Sequence, residues 1–199
     1  MKAEIQRRQF IPLKNLKVNR YSFYKINQLV SAGKLGRVNR NYYENMEYNG
    51  EINDFYAVPA YTDEKGIICL MSAAAYYELT TERPSKIDVA LPRRSRVPRS
   101  PEWPPMQFYL FSDQRYKVGV EKVNADGNPF YIYDMEKTVC DVIFYRNKLG
   151  FEPAVEVIKK YLNNQNRDLI RLMRYAEMLR LKTTMKQFLE VLIRTTLLQ

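Results

Sequence analysis

The sequence predicts an α+β fold, and three observations along the chain support this class. Residues 19–32 carry an apolar stripe at helical spacing, and residues 34–44 then have the pattern of a two-stranded hairpin. Between residues 86 and 133, several short alternating segments separated by hairpin-length gaps predict a small, mainly antiparallel sheet. From residue 134 to the end the pattern is helical, which predicts a helical bundle.

The first elements are predicted to be a short helix, a turn and a longer helix. The short helix falls within residues 10–18 and the longer one spans residues 19–32. Asn19 is a suitable N-cap for the second helix, and Gly33 stands where a helix commonly ends. The apolar anchors are Leu13, Leu16 and Val18 in the first helix, and Phe23, Ile26, Leu29 and Val30 in the second. This order is that of a helix-turn-helix.

The other face of the second helix mixes cations, amides and aromatic hydroxyls. Arg and Gln side chains can read base edges, while Tyr and Lys can hold the phosphate backbone. We therefore predict that this face reads bases in a groove of double-stranded DNA, the alternative being a solvated helix surface. The predicted base-reading residues are Arg20, Tyr21, Tyr24, Lys25 and Gln28.

The hairpin that follows has the position of the wing in a winged helix-turn-helix. Its turn is predicted at residues 39–41, and Asn41 can occupy a tight bend because Asn tolerates positive φ. Long cations near a hairpin tip reach phosphate oxygens easily. The predicted contacts to the DNA backbone are Lys34, Arg37, Arg40 and Asn41.

A polar, acidic stretch with an Asn-Gly turn, residues 45–56, is the predicted domain boundary. It separates a DNA-binding domain over residues 1–50 from an α+β domain over residues 55–199. Within the second domain, residues 66–79 are predicted to be buried and to turn into an Ala-rich helix that begins at Ser72. The predicted strands are residues 86–91, 107–112, 117–123 and 129–133, with an extended loop over 93–105.

Four helices are predicted after the sheet. Asp134 is expected to cap the first, and Pro153 to open the second. The inward-facing residues are Val139, Val142 and Ile143, then Ala154, Val157, Ile158 and Tyr161, then Leu169, Leu172, Met173 and Ala176, and finally Met185, Phe188, Leu189 and Leu192.

Charge is segregated along the chain. Residues 1–40 carry a net +9, residues 41–158 carry −5 and residues 159–199 carry +6, within a total of +10. Two separate basic zones suggest a polyanion contacted at two places. The second zone is a candidate contact for DNA or RNA, or simply a solvated helix face, and comprises Lys159, Lys160, Arg167, Arg171, Arg174 and Lys182. The spacing of its three arginines predicts that they share one helix face.

Catalysis and cofactor binding are disfavoured. The chain has no His, which removes the usual general base and the commonest metal ligand. Cys69 and Cys140 lie far apart and are expected in the core, while Asp134 and Glu136 are explained by a helix start. With no P-loop and no GxGxxG, we expect no enzyme activity, no cofactor and no metal. No apolar run is long enough for a membrane span and no signal-peptide core is present, so a cytoplasmic protein is expected.

Five sequence blocks together resemble a known family. LVSAGKLGRVNRNYY is followed by GIICLMSAAAYYELT, PSKIDVALPR, YDMEKTVCDVI and a run of basic helices. From about Phe10 to Leu192 this order resembles the AbiEi-type antitoxins of abortive-infection AbiE systems, which are type IV toxin–antitoxin modules used in phage defence. In two places the chain departs from the family pattern: Asn41 replaces a frequent Gly, and Tyr77-Glu78 replaces a frequent His-Gly.

The resemblance implies a function. It implies an N-terminal winged helix that binds inverted repeats in its own promoter and represses transcription, with two copies meeting on the DNA. It also implies a C-terminal domain that counteracts a nucleotidyltransferase-like toxin without forming a stable complex with it. Two alternatives remain at this point: a winged-helix transcriptional regulator without a toxin partner, and an RNA-interacting accessory protein.

Overall fold

A computed structural model describes the backbone of residues 3–196 and the side chains of residues 5–192. The chain is mixed α+β and divides into two compact units. The first unit runs to Gly66 and also takes in Pro98–Pro104 and Lys122–Tyr131, and the second contains the remainder. The division therefore follows Gly66 rather than falling within residues 45–56, and two later segments return to the first unit.

The first 66 residues form short helices around a three-stranded sheet. The elements are α1 (Ala3–Gln6), β1 (Phe10–Pro12), α2 (Leu13–Val18), α3 (Phe23–Ser31), β2 (Leu35–Arg37), β3 (Tyr42–Asn45), a 3₁₀ turn (Asp54–Ala57) and α4 (Val58–Thr62). The predicted hairpin is present as the antiparallel pair β2–β3. The strand β1 was not predicted; it pairs antiparallel with β3 and gives the order β1-β3-β2.

The start of α3 differs from the prediction. Asn19 is the C-cap of α2, since its backbone N–H still donates to the Asn15 carbonyl at 3.1 Å, so its predicted role as N-cap is wrong. Ser22 caps α3 instead: its side chain accepts a hydrogen bond from the Lys25 N–H at 3.2 Å.

The core of this first part is small. Among the predicted anchors, Leu16 and Ile26 are fully buried, whereas Val18 and Phe23 are 82% and 59% exposed, so their predicted inward orientation is wrong. The buried cluster consists of Ile5, Ile11, Leu16, Ile26, Leu35 and Tyr43, with Leu13, Tyr21, Leu29 and Val30 packed against it.

The rest of the chain supplies five strands and seven helices within the described residues. They are β4 (Ile67–Ile68), α5 (Leu70–Tyr76), β5 (Ile87–Pro92), β6 (Met106–Phe111), α6 (Asp113–Lys117), β7 (Val120–Ala125), β8 (Asn128–Tyr133), α7 (Met135–Phe144), α8 (Arg146–Leu149), α9 (Phe151–Asn163), α10 (Leu169–Met178) and α11 (Lys182–Thr196). The helix α5 begins at Leu70, not at Ser72; the Ser72 hydroxyl accepts from the Asp88 N–H instead.

The sheet is mixed. Its strand order is β6-β5-β4-β8-β7, and β4 pairs antiparallel with β5. The strands β5 and β6 are parallel, with Ile87 opposite Met106, because the extended loop over 93–105 carries the chain back to the same end. The prediction of short strands is confirmed, but this pair departs from the predicted antiparallel pattern.

The core of the second unit is built around α7. Its N-cap is Asp134, as predicted, and Val139, Val142 and Ile143 are all fully buried. The inward stripe of α9 is confirmed in full, whereas Leu169 of α10 is 43% exposed. Both cysteines are buried and unpaired, as expected of small core residues. None of the helices of the described residues is long and apolar enough to cross a membrane.

Candidate nucleic-acid interface

The solvent-facing side of α3 is the best-defined candidate surface. Ile26 is fully buried and fixes the inward direction of the helix. At about 100° per residue, Tyr24, Gln28 and Ser31 then lie within about 40° of the opposite direction. All three are exposed, and Tyr24 is 74% exposed. A nine-residue helix thus presents an aromatic hydroxyl, an amide and a hydroxyl side by side.

The structure brings only part of the predicted base-reading set together. Tyr24, Lys25 and Gln28 lie on α3 and are exposed. Arg20 is exposed but precedes the helix, in the turn after α2, at φ 65°. Tyr21 is in the same turn, half-buried and packed against the core, so its predicted place on the exposed helix face is wrong. The reason is the later helix start at Ser22, which removes both residues from the helical periodicity.

Sequence reasoning missed two polar residues and one cation beside this face. Asn27 and Ser31 are exposed on α3 and flank Gln28. Lys17, at the end of α2, places its ammonium 3.2 Å from the centre of the Phe23 ring. This cation–π contact covers part of an apolar ring that is otherwise exposed to solvent. The sequence could have predicted the exposure of Asn27 and Ser31, because both point away from the core once Ile26 is taken as the centre of the buried side of the helix.

The hairpin holds two cations that lack a counter-charge. Arg37, at the end of β2, and Arg40, in the turn, are exposed and form no ion pair within the described part of the chain. Lys34 differs, because its Nζ lies 2.8 Å from Glu47 Oε1. The predicted phosphate contact is therefore supported best for the two arginines.

The turn of the hairpin is fixed by side-chain amides. Asn39 Oδ1 accepts from the Asn41 N–H at 2.8 Å, and Asn39 Nδ2 donates to the Ala60 carbonyl at 2.8 Å. Asn41 Nδ2 donates to Asp63 Oδ1 at 3.3 Å. Residues 39–41 form a bend as predicted, but Asn41 is not among the residues with positive φ, so the backbone conformation expected for it is wrong. Its side chain anchors the turn internally, which makes it a supporting residue for Arg40.

The predicted second basic zone is spread over three elements of the second unit. Lys159 and Lys160 are on α9, Arg171 and Arg174 on α10, and Lys182 on α11. Arg167 precedes α10, which starts at Leu169, so the predicted single helix face for the three arginines is wrong.

Carboxylates compensate half of this zone. Lys182 Nζ lies 2.8 Å from Glu177, and Lys160 Nζ lies 3.4 Å from Glu156. Arg171 lies 3.7 Å from Glu136 and 3.5 Å from Asp168, and these carboxylates, Glu136 most of all, raise the pKa of its guanidinium. Lys159, Arg167 and Arg174 form no ion pair within the range of described side chains. This zone is accordingly a weaker polyanion site than its formal charge implies.

The acidic pair at the start of α7 has internal partners. Asp134 Oδ1 accepts from the Lys137 N–H at 2.7 Å, and its Oδ2 accepts from the Tyr175 hydroxyl at 2.9 Å. Glu136 accepts from the Tyr161 hydroxyl and from the Asp168 N–H, at 3.2 and 3.0 Å. Burial raises the pKa of Asp134 to about 6. In the described part of the chain, no three potential metal-ligating side chains come together.

An ionic cluster inside the second unit escaped the sequence reasoning. Asp141 of α7 is fully buried and accepts from Arg115 Nη1 at 2.5 Å and from the Lys137 ammonium. The Lys137 ammonium also lies 3.9 Å from the centre of the Tyr133 ring. The spacing of Lys137 and Asp141, one helical turn, was the feature of the sequence that could have predicted this ion pair.

Compared with known protein families and with curated proteins, the chain matches none.

Proposed function

We propose that this protein binds double-stranded DNA through an N-terminal winged helix and represses its own promoter as the antitoxin of a type IV toxin–antitoxin pair. In this proposal α2 and α3 form the helix-turn-helix and the β2–β3 hairpin is the wing. The exposed polar face of α3 enters the major groove, and Arg37 and Arg40 contact phosphates. The protein acts by binding and not by catalysis.

The observation that carries the proposal is the composition of the exposed α3 face. Gln28 can form two hydrogen bonds with an adenine edge, while Tyr24 and Lys25 can reach the backbone on either side. The helix is short and capped, and its inner side is anchored by the fully buried Ile26, so these side chains project from a rigid base. Arg37 and Arg40 lie close together in sequence and form no ion pair with a carboxylate among the described side chains.

The antitoxin part of the proposal is supported by the block order that resembles AbiEi-type antitoxins. The blocks GIICLMSAAAYYELT and YDMEKTVCDVI correspond to β4–α5 and to the buried α7. In this proposal the second unit, with its bundle of helices, counteracts a nucleotidyltransferase-like toxin. A regulator without a toxin partner is the fallback if no such toxin gene lies beside this one.

The DNA-binding proposal is tested by fluorescence anisotropy with the DNA immediately upstream of the gene. Gln28→Ala should weaken binding by about 5- to 150-fold, since a base-reading contact contributes about 1–3 kcal/mol. Tyr24→Ala should weaken binding to all DNA sequences alike, because Tyr24 is proposed to contact the backbone. Gln114→Ala is the matched control, because Gln114 is an exposed helical glutamine on α6. Unchanged affinity in both α3 variants would exclude this helix as the reader.

The toxin proposal needs full-length protein. Truncation at residue 50 would cut through the first unit, which extends to Gly66 and includes residues 122–131. A Tyr24→Ala, Gln28→Ala double variant keeps the chain whole while removing the proposed DNA contacts. It should lose repression of a promoter reporter but still restore growth to cells that express the neighbouring toxin. Failure of the wild-type protein to restore growth would refute the antitoxin role.

A further inference from the structure

A cavity of about 220 Å³ lies within the first unit, separate from the α3 face. It opens to solvent and is lined by three cations, four aromatic rings, three prolines and one carboxylate. Its walls come from the segment before β1, from β1, α2 and β3, from the 3₁₀ turn, from α4 and the residues just after it, and from β7 and β8. The volume is just below the range of about 300–1,000 Å³ for small-molecule pockets. It therefore suits one small ligand whose charged end extends to the mouth.

Two of the cations have no partner among the described side chains. Arg8 and Lys122 form no ion pair there, while Lys14 Nζ lies 2.6 Å from Glu64 Oε1. Lys122 is close enough to contribute to the lowered pKa of Glu64, for which the hydrogen bond from Lys14 is the largest cause. Even with Glu64 ionised, the lining keeps an excess of two positive charges. An anionic group is what such a lining attracts.

The backbone around Arg8 is held from two sides. Asn45 is buried, and its Nδ2 donates to the Arg8 carbonyl at 3.2 Å. Asn128, also buried, donates from Nδ2 to the Arg7 carbonyl at 3.0 Å and accepts at Oδ1 from the Gln9 N–H at 2.7 Å. The backbone that carries the Arg8 side chain is thus fixed before any ligand arrives, so binding has only the side chain itself to order.

The same cavity offers an acceptor and flat apolar walls. Both the Lys14 ammonium and the Tyr42 hydroxyl donate to Glu64 Oε1, at 2.6 and 2.8 Å, which leaves Oε2 free of hydrogen bonds from described side chains. Phe10, Tyr42 and Tyr56 are nearly buried, whereas Tyr131 is partly exposed in the lining. Aromatic and proline surfaces suit a planar ring, and a carboxylate oxygen suits an amino group or a sugar hydroxyl.

We infer that this cavity binds a nucleoside monophosphate, with the phosphate on Arg8 and Lys122, the base beside Tyr131, and Glu64 accepting from the base or ribose. The phosphate matches the two cations that lack a partner among the described side chains, the base matches the aromatic wall, and the amino or hydroxyl donor of the ligand matches the carboxylate of Glu64. The cavity is too small for duplex DNA, so this ligand is distinct from the proposed DNA. The inference does not rest on the proposed function.

Isothermal titration of the full-length protein tests it with AMP, GMP, CMP and UMP, and with adenosine and inorganic phosphate as the partial ligands. At least one monophosphate should bind more than tenfold more tightly than either partial ligand. Arg8→Ala and Lys122→Ala should each weaken binding about tenfold, which is the value of one charge-assisted contact. Arg7→Ala is the matched control, since Arg7 is adjacent and exposed but does not line this cavity.

Tyr131→Ala separates the two ends of the site. It should weaken binding of the monophosphate about tenfold and leave binding of inorganic phosphate unchanged, a pattern that a general loss of structure would not give. Thermal melts confirm that each variant is folded. No binding by any monophosphate, equal affinity for inorganic phosphate, or equal effects of Arg7→Ala and Arg8→Ala would each overturn the inference.

Discussion

Removal of the charge of Asp141 should destabilise the second unit strongly, and more than the loss of an exposed carboxylate charge. The Asp141 side chain is fully buried and pairs with two cations, the fully buried Lys137 and the almost fully buried Arg115. Asn at this position keeps the shape and one acceptor but removes the one negative charge, among the described side chains, that pairs with both cations. The Asp141→Asn variant thus leaves two like charges buried close together.

The magnitude follows from the burial of all three groups. Breaking a buried ion pair by removing one partner costs about 3–5 kcal/mol, because the remaining charge is uncompensated. Two cations depend on Asp141, so we expect the upper part of that range. A domain of this kind has about 5–15 kcal/mol of stability in total. The variant should therefore lose a large share of its free energy of unfolding and unfold at a clearly lower denaturant concentration.

The loss of stability in Asp141→Asn should depend on pH, because the protonation of Lys137 changes with pH. Burial lowers the pKa of its ammonium in the wild type, and removal of Asp141 takes away the charge that opposes this effect. In the variant the unfolded state then binds more protons than the folded state at pH values between the lowered pKa of folded Lys137 and the ordinary lysine pKa. Stability must consequently rise with pH. The deficit of Asp141→Asn should shrink between pH 7 and pH 9.

Urea unfolding followed by circular dichroism at 222 nm measures this, since most helices belong to the second unit. Asp113→Asn is the control, an exposed carboxylate on α6, and should change stability by less than about 0.5 kcal/mol. Adding Lys137→Met to Asp141→Asn should recover part of the loss. If Asp141→Asn lowers the free energy of unfolding by less than about 1 kcal/mol, or if the double variant recovers none of the lost stability, the reasoning is refuted.

Three further predictions concern the interface and pH. Arg40→Ala should flatten the slope of log K against log salt for DNA by about 0.9, and Lys34→Ala by less because Glu47 already pairs with it. Burial raises the pKa of Asp88 and of Asp134 to about 6, so the folded state holds these protons more tightly than the unfolded state. Stability should accordingly fall from pH 5 to pH 7 in urea titrations, and less so in Asp88→Asn. Ser22→Ala should cost about 1 kcal/mol in a thermal melt, because it removes the cap of α3.

Helical periodicity was the most informative sequence signal. The inward positions of α7 and α9 were predicted residue by residue and are fully buried, because each helix packs one continuous stripe into a large core. The same rule failed at Phe23, where the core is only a few residues wide and a neighbouring cation covers the ring. Periodicity identifies the buried side of a helix reliably only where the core spans the whole helix.

Local capping rules placed one helix start correctly and one wrongly. Asp134 was identified because it has the only capping side chain between Asn128 and Thr138, whereas Asn19 and Ser22 both have capping side chains and lie three residues apart. The choice between them depends on where α2 ends, which the sequence does not show. The error moved Arg20 and Tyr21 off the helix. Strand β1 and the parallel β5–β6 pair were also invisible, since both depend on partners far along the chain.

The two basic zones differ in a way that formal charge hides. In the second zone, Lys160, Arg171 and Lys182 each have a carboxylate within 4 Å, so binding a polyanion there would first have to break existing pairs. On the α3 side, Lys25 and Arg37 have no such partner among the described side chains, as is also true of Arg40. Counterion release counts only cations that are free to exchange salt ions for phosphates. The salt dependence of DNA binding should therefore reflect the first zone, with a slope near −2.7 for three phosphates per copy. A much steeper slope would show that the second zone joins the contact after all.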